Sequence, residues 1–420
     1  MKKDFMNLTA LMCVQGSNAL APLVVFPYAL HMLGSTAYTD LVLSEAISLL
    51  ILAVVVYSFD VLGVSSVVHL KAHGNDSALS ELFSSILYIR LLLFFSTALT
   101  AITFYHFVMG GDFLTMTLWS LVPLAYIFQS AWLFQGLERN IPSATFALAS
   151  RVICVWLILS LVDDPTEKHL IPAIMGSTYL LGGLASFGYA AFRYDLRLRR
   201  IGWSKLVNLA NDGKEVFLGN ISVSLSKDIN VLILGLIGVP AQSLAAYSIA
   251  EKLTKSFQAV SRPLNQLFFP KAIKALQDEH EPNWFIAKRL FRLTAPQVAS
   301  LGGLLVILAG GYLIAAGYTS KVTSLPNTPE IVSFLSVMIP GTFFGIVSFM
   351  FGSVGLNYLN CRAYFFAVIL FVGLLSASTC FLLGQWIGAH AAAYCYAGAE
   401  LLTAVLVVRR FGSIYIYQRP

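Results

Sequence analysis

One stretch concentrates the residue types that hold ions. Between positions 241 and 269 a largely apolar run carries Tyr247, Glu251, Lys255, Gln258, Arg262 and Asn265. At 100° per residue these six fall on a single helical stripe about 80° wide. Two chemistries suit that spacing. Glu251 and Lys255, four residues apart, can neutralise each other as a structural pair. Alternatively the stripe lines a water-filled cavity, where Arg262 and the adjacent Lys252 leave positive charge for an anion.

Other charges lie in equally apolar surroundings. Asn220, Ser224 and Lys227 share a helical face with Asp228 beside it, and the adjacent Lys227 and Asp228 diverge by about 100°, so one of them is expected to meet the Glu251 stripe. Arg151 lies at mid-run, facing an anion or braced on carbonyls or Asp60, while Arg90 is near enough to one end to snorkel. Glu400 stands alone in the last run, as an ion ligand or a neutral packing group, and Gln15, Asn18 and Pro22 interrupt the first. Each charge at membrane depth costs several kcal/mol unless a partner or cavity receives it, which makes each a candidate site.

The surroundings are what make these charges costly. Of 420 residues 57% are hydrophobic and 11% charged, against roughly 25% charged in a soluble domain; the mean hydropathy is +0.76. The fold class is an all-α integral membrane protein. Twelve spans are predicted: Asn7 to Met32, Leu41 to Leu70, Leu79 to Met109, Phe113 to Leu137, Ile141 to Val162, Leu170 to Phe192, Glu215 to Ile237, Ala241 to Phe269, Ala287 to Tyr318, Ile331 to Gly355, Ala363 to Leu383 and Gly388 to Val408. The basic start MKKDF runs into a span of full length with no A-x-A site, which reads as a retained first helix. The expected organisation is a six-helix lobe over 1–192, a basic cytoplasmic linker over 193–214 and a second six-helix lobe over 215–420, as in transporters with two parallel repeats. Gly34 to Tyr38 and Gly238 to Tyr247 faintly echo each other after the first helix of each half.

Basic residues set the orientation. With both termini in the cytoplasm, nineteen of the 27 Lys and Arg residues lie on the cytoplasmic side, Lys168 and Lys321 lie opposite, and six fall inside spans. The net charge of +6 therefore reports topology, and no basic cluster forms a nucleic-acid patch. Cys13, Cys154, Cys361, Cys380 and Cys395 have no C-x-x-C spacing and read as small apolar residues. No metal site or other cofactor is expected, and the absence of a GxxxxGK[ST] loop argues against ATP hydrolysis.

Particular strings resemble a known family. Trp132-Leu-Phe-Gln135-Gly136-Leu-Glu138 is similar to the WxFQGxE signature of bacterial polysaccharide flippases, the O-antigen (Wzx-type) transporters of the multidrug/oligosaccharidyl-lipid/polysaccharide (MOP) exporter superfamily. Asn18 through Pro22 to Pro27 with Leu33-Gly34, Tyr57-Ser-Phe59, Leu82 to Ser85, Ile233 to Gly235, Ala246 to Lys252 and Phe269-Pro270 resemble further segments, although Ser58 replaces a usual glycine. Read without the family, Trp132 to Glu138 is a helix end with a local Glu138–Arg139 pair.

The resemblance implies two six-helix lobes around a central cavity open alternately to each side of a bacterial cytoplasmic (inner) membrane. It implies an undecaprenyl-diphosphate-linked oligosaccharide as substrate, with its tail among membrane lipids, and a polysaccharide polymerase and a chain-length regulator as partners. Lys255, Arg262, Lys227, Arg151, Lys252, Arg90, Gln258 and Asn18 are the candidates to receive the diphosphate and glycan, since paired charge replaces lost hydration. Glu251, Asp60, Asp228 and Glu400 are the candidates to hold a coupling ion, H+ or Na+. The alternatives are a multidrug cation antiporter, which the basic lean of the deep charges disfavours, and a membrane polysaccharide polymerase, for which no large outer loop is present.

Overall fold

The computed structural model describes residues 2–73, 76–276, 283–318 and 328–417, and among them it is helical with no strand. Hydrocarbon offers no hydrogen bonds, and a helix satisfies its own backbone where an open strand cannot. The helices are α1 (Lys2–Val56), α2 (Leu62–Ala72), α3 (Asp76–Phe107), α4 (Phe113–Trp119), α5 (Leu121–Phe128), α6 (Ala131–Gly136), α7 (Ile141–Leu161), α8 (Leu170–Arg193), α9 (Trp203–Lys227), α10 (Asn230–Leu236), α11 (Ala241–Leu276), α12 (Asn283–Tyr318), α13 (Thr328–Ser348), α14 (Arg362–Ile387) and α15 (Ala389–Tyr417).

Among the described residues eight helical segments are long and apolar enough to cross a membrane, and a ninth arises if α9 and α10, bent by 55°, count as one. Lys2–Val56 holds the first expected span and only the first part of the second, divided at Gly34 with φ 72°, because the expected Leu41 to Leu70 span breaks at the Tyr57 turn and resumes as α2. With that division and the 36-residue helices α11 and α12, the count reaches the expected twelve. Gly238 shares the positive φ of 72°, so the faint sequence echo coincides with a glycine at positive φ in each half, at a kink within α1 and between α10 and α11. Any side chain would be strained there. Aromatic residues that water would penalise lie outward, Phe192 at 90% and Trp386 at 86% exposure, as suits an integral membrane protein.

The chain forms two compact units, Met1–Ser224 and Leu225–Pro420. The stretch read as a linker over 193–214 is already helical from Trp203. A turn at Tyr57 explains why the first unit keeps most of α9. Tyr57 adopts φ 55°, its hydroxyl donates to the Ala210 carbonyl at 2.9 Å and its ring stacks on Phe217 at 4.4 Å. Its own carbonyl accepts from Asn220 at 2.9 Å.

The core of the first unit gathers Phe59, Phe83, Trp132 and Phe134, and that of the second gathers Met350, Phe351 and Phe411. Between lipid-facing helices such close packing, rather than escape from water, holds the elements together. In the second unit α13 passes into a π-helical stretch, Phe349–Leu356.

Candidate functional site

The second unit ties three helices together with charge. The break between α9 and α10 aims two consecutive residues apart, as the sequence predicts. Lys227 forms an ion pair with Glu400 of α15, while Asp228 accepts Lys255 of α11 at 2.8 Å. Lys255 also lies 3.0 Å from Glu251, one turn earlier. Gln258 Nε2 donates to Glu400 Oε1 at 3.3 Å. Helix α13 approaches closely because residue 345 is glycine: a Cβ there would stand 3.2 Å from Glu400 Oε2.

Exposure sorts these groups. The Glu251 and Glu400 side chains are 5% and 6% exposed, whereas those of Lys227 and Lys255 are each 31% exposed. The carboxylates form the buried floor and the ammonium groups the accessible face. The Tyr396 hydroxyl, on the same helix as Glu400, is buried without a hydrogen-bond partner among the described residues.

Two expectations change. Glu400 is not alone, because Lys227 and Gln258 converge on it from helices 173 and 142 residues away. The Glu251–Lys255 pair is present, and Asp228 makes it a triad. Lys252 is half-buried and within electrostatic reach of Glu251. The Arg262 side chain lies outside the described residues.

The first unit handles its cations differently. Arg151 of α7 is 3% exposed, donates through Nε to Asn18 Oδ1 at 3.0 Å and through Nη1 to Ser150 Oγ at 2.8 Å, and lies 4.0 Å over the Tyr179 ring. Every one of these partners is neutral. Arg151 and Asn18 line a cavity of about 20 Å³ with Gln129, Ser143 and Ser186, room for about one water. Asp60 goes to Arg90 at 3.3 Å rather than to Arg151. Arg90 does not snorkel: it is 2% exposed, faces the Phe59 ring at 5.7 Å and donates to the Tyr126 carbonyl at 3.4 Å.

A third cluster, at the loop end of the first unit, escaped the sequence reading. Lys168 Nζ bridges Asp40 at 2.8 Å and Asp112 at 3.2 Å. His169 meets Asp112 at 3.3 Å and Thr115 at 3.0 Å, and the Tyr105 hydroxyl donates to Asp40. Asp40, Asp112 and Lys168 line an open cleft of about 600 Å³. Burial pushes the Asp112 carboxyl up, but hydrogen bonds from Thr115, Lys168 and the Leu114 amide hold it below its ordinary value. Burial likewise opposes the Lys168 charge, and Asp40 and Asp112 more than offset it, leaving the ammonium above its usual range. The one legible signal was Asp112 as a helix N-cap ahead of an apolar run. Its pairing with Lys168 spans 56 positions, which no local pattern reveals.

The motif residues divide by role. Trp132 is buried against Phe83 at 6.3 Å. A Cβ on Gly136 would come within 2.6 Å of Val67 Cβ, so glycine there lets α6 lie on α2. Gln135 and Glu138 are exposed, Glu138 at φ 54°. Half of the signature is therefore packing.

The family model for polysaccharide biosynthesis proteins matches residues 5–276. A protein of Escherichia coli strain K12 named as an O-antigen transporter is 23% identical over 88% of this chain and 87% of its own length. A Shigella dysenteriae protein of the same name is 23% identical over 80% and 86%. Among solved structures, the inward-facing conformation of a multidrug resistance MATE family transporter of the MOP superfamily matches with a TM-score of 0.64 at 13% identity, over 97% of this chain and 96% of that one.

Proposed function

The chain belongs to the polysaccharide biosynthesis protein family, and from that membership we propose that it carries an undecaprenyl-diphosphate-linked oligosaccharide from the cytoplasmic to the periplasmic leaflet of a bacterial inner membrane. It is an integral membrane transporter with a MOP-superfamily fold rather than an enzyme. The finer reading adds alternating access between the two units, both termini in the cytoplasm, and coupling to H+ or Na+.

The observation that carries the reading is Arg151. A guanidinium at mid-span, held only by Asn18, Ser150 and Tyr179, is a buried cation without a carboxylate within ion-pair distance among the described residues. Such a charge is costly unless something anionic completes it, and a diphosphate matches a guanidinium fork. The glycan and diphosphate need a polar path across about 30 Å of hydrocarbon, whereas the lipid tail can stay in the bilayer. The cation-exporter alternative fits less well, because an unneutralised arginine repels a cationic cargo.

The test is the sidedness of the lipid-linked intermediate. Spheroplasts of cells lacking the protein should hold it protected from an impermeant reagent, the native protein should expose it, and Arg151→Ala at equal abundance should fail to. Outward exposure without the protein would overturn the assignment.

A further inference from the structure

We infer that the open cleft at the loop end of the first unit is a saccharide site, in which Asp40, Lys168 and Thr36 take the hydroxyls of an uncharged sugar ring of the glycan. The inference rests on the cargo and orientation proposed above, which put this cleft on the outer face, and it gives the glycan a contact separate from the Arg151 site for the diphosphate.

The cleft holds about 600 Å³, within the size range of small-ligand sites. Its charges are already compensated. Lys168 Nζ stands 2.8 Å from Asp40 and 3.2 Å from Asp112, so an ammonium fills the position between the carboxylates where a metal ion or an organic cation would sit. An anion meets two carboxylates for one lysine and is repelled. A neutral ligand rich in hydroxyls meets neither obstacle, because it needs fixed donors and acceptors and no counter-charge.

The two aspartates differ in what they have left to offer. A carboxylate has about four acceptor positions. Asp112 uses its own on the Leu114 amide, Thr115, Lys168 and His169, which makes it the support that holds Lys168. Asp40 takes Tyr105 on Oδ1 and Lys168 on Oδ2, and among the described residues about half of its acceptor capacity remains. Lys168 in turn carries a third ammonium proton beyond those given to the two carboxylates. Acceptor and donor therefore stand side by side, 2.8 Å apart, a pattern that two neighbouring hydroxyls of a pyranose complete.

The array is set before a ligand arrives. Tyr105, 1% exposed, anchors Asp40, and Asp112 is fixed as the N-cap of α4, so little side-chain freedom is left to lose on binding. The groups are nonetheless reachable: Asp40 and Lys168 keep 22% and 27% of their side-chain surface open. Thr36 and Thr166 add hydroxyls at exposed positions, while Leu33, Ala37 and Pro165 give apolar surface for the C–H face of a ring. Fixed polar groups beside apolar surface are what orient a small ligand in such a site.

The experiment uses the free oligosaccharide released by mild acid from the lipid-linked intermediate that accumulates in cells lacking the protein, a probe with sugar rings and no diphosphate. Calorimetric titration of the purified full-length protein with it should show saturable binding, and excess inorganic diphosphate should not displace it. Asp40→Asn, which leaves Lys168 on Asp112, should weaken binding about tenfold, as expected for losing a hydrogen bond to a charged group. Thr36→Trp, which fills the cleft without touching the ion pairs, should abolish binding. Should that variant misfold, Thr166→Trp replaces it with the same expected loss. Native affinity in Asp40→Asn and in the tryptophan variant overturns the cleft, because the sugar then binds elsewhere, and so does an absence of binding by the native protein. Displacement by diphosphate overturns the separation of the two sites. Each of these results leaves the sidedness measurement, and with it the transport reading, intact. Cells lacking the protein that accumulate no protected intermediate overturn the transport reading itself.

Discussion

The two units solve the same electrostatic problem in opposite ways. In the first, Arg151 is surrounded by neutral partners; in the second, each described lysine in contact with the buried carboxylates is clamped by one or two of them. A cation satisfied by neutral groups keeps its charge available, whereas one satisfied by carboxylates is structural until something neutralises them. The contrast teaches that counting deep charges says little about which of them can hold a substrate. On the proposed function, Arg151 in the first unit is the cation left open to an anion, whereas Lys227 and Lys255 in the second are already paired with carboxylates.

The sharpest way to break this comparison is to remove the standing charge. Arg151→Ala should lower translocation at least tenfold with little loss of folded protein, and Arg151→Lys should recover part of it, since a point charge replaces the fork; the spheroplast sidedness measurement reads both. Equal rates would mean that the neutral shell around Arg151 is a mere packing arrangement.

The reverse holds in the second unit, where the expected loss is stability. Lys255→Met strands the buried Glu251 and should cost about 3 kcal/mol, seen as a lower melting temperature of the purified protein. Asp228→Asn leaves Lys255 with Glu251, and with both groups about a third exposed the cost should stay near 1 kcal/mol. If the two variants melt alike, the triad is not cross-linked as its distances imply.

Smaller effects belong to the turns and loops that frame both units. Gly34→Ala and Gly238→Ala should each cost about 1 kcal/mol through left-handed strain, read as a lower melting temperature of the purified protein. The loop cluster predicts a pH window. The Asp112 carboxyl is held below its ordinary value, so its contribution is present above the usual carboxylate range and lost as pH falls through the depressed value. Lys168 is held above its ordinary value, so its contribution is present below the usual lysine range and lost as pH rises through the raised one. The melting difference between native protein and Lys168→Ala, about 1–2 °C, should therefore stay constant from about pH 5 to about pH 9. It should shrink beyond both ends.

Legibility followed the range of the cause. The Glu251–Lys255 pair lay four residues apart, within one helical turn, and could be read directly. The divergence of Lys227 and Asp228 followed from helix geometry and correctly sent one of them to α11. The partner of Glu400 could not be read, because Lys227 is 173 positions away and helix packing alone brings it there. The sequence placed Arg151 deep, with Asp60 as a possible brace, and Arg90 near enough to an end to snorkel, yet it is the buried Arg90 that Asp60 reaches.

The sequence by itself determined the class: its long apolar runs call for helices in a bilayer, its Lys and Arg distribution gives the expected orientation, and the Trp132 to Glu138 string resembles the family. These properties are local and additive along the chain, so composition and spacing suffice. Only the tertiary structure decided which charges are satisfied, by what, and from which side, because ion pairing depends on a few ångströms between segments whose approach is set by packing. Gly345 shows this directly: it is an ordinary glycine in the sequence, and in the fold a Cβ there would stand 3.2 Å from Glu400 Oε2.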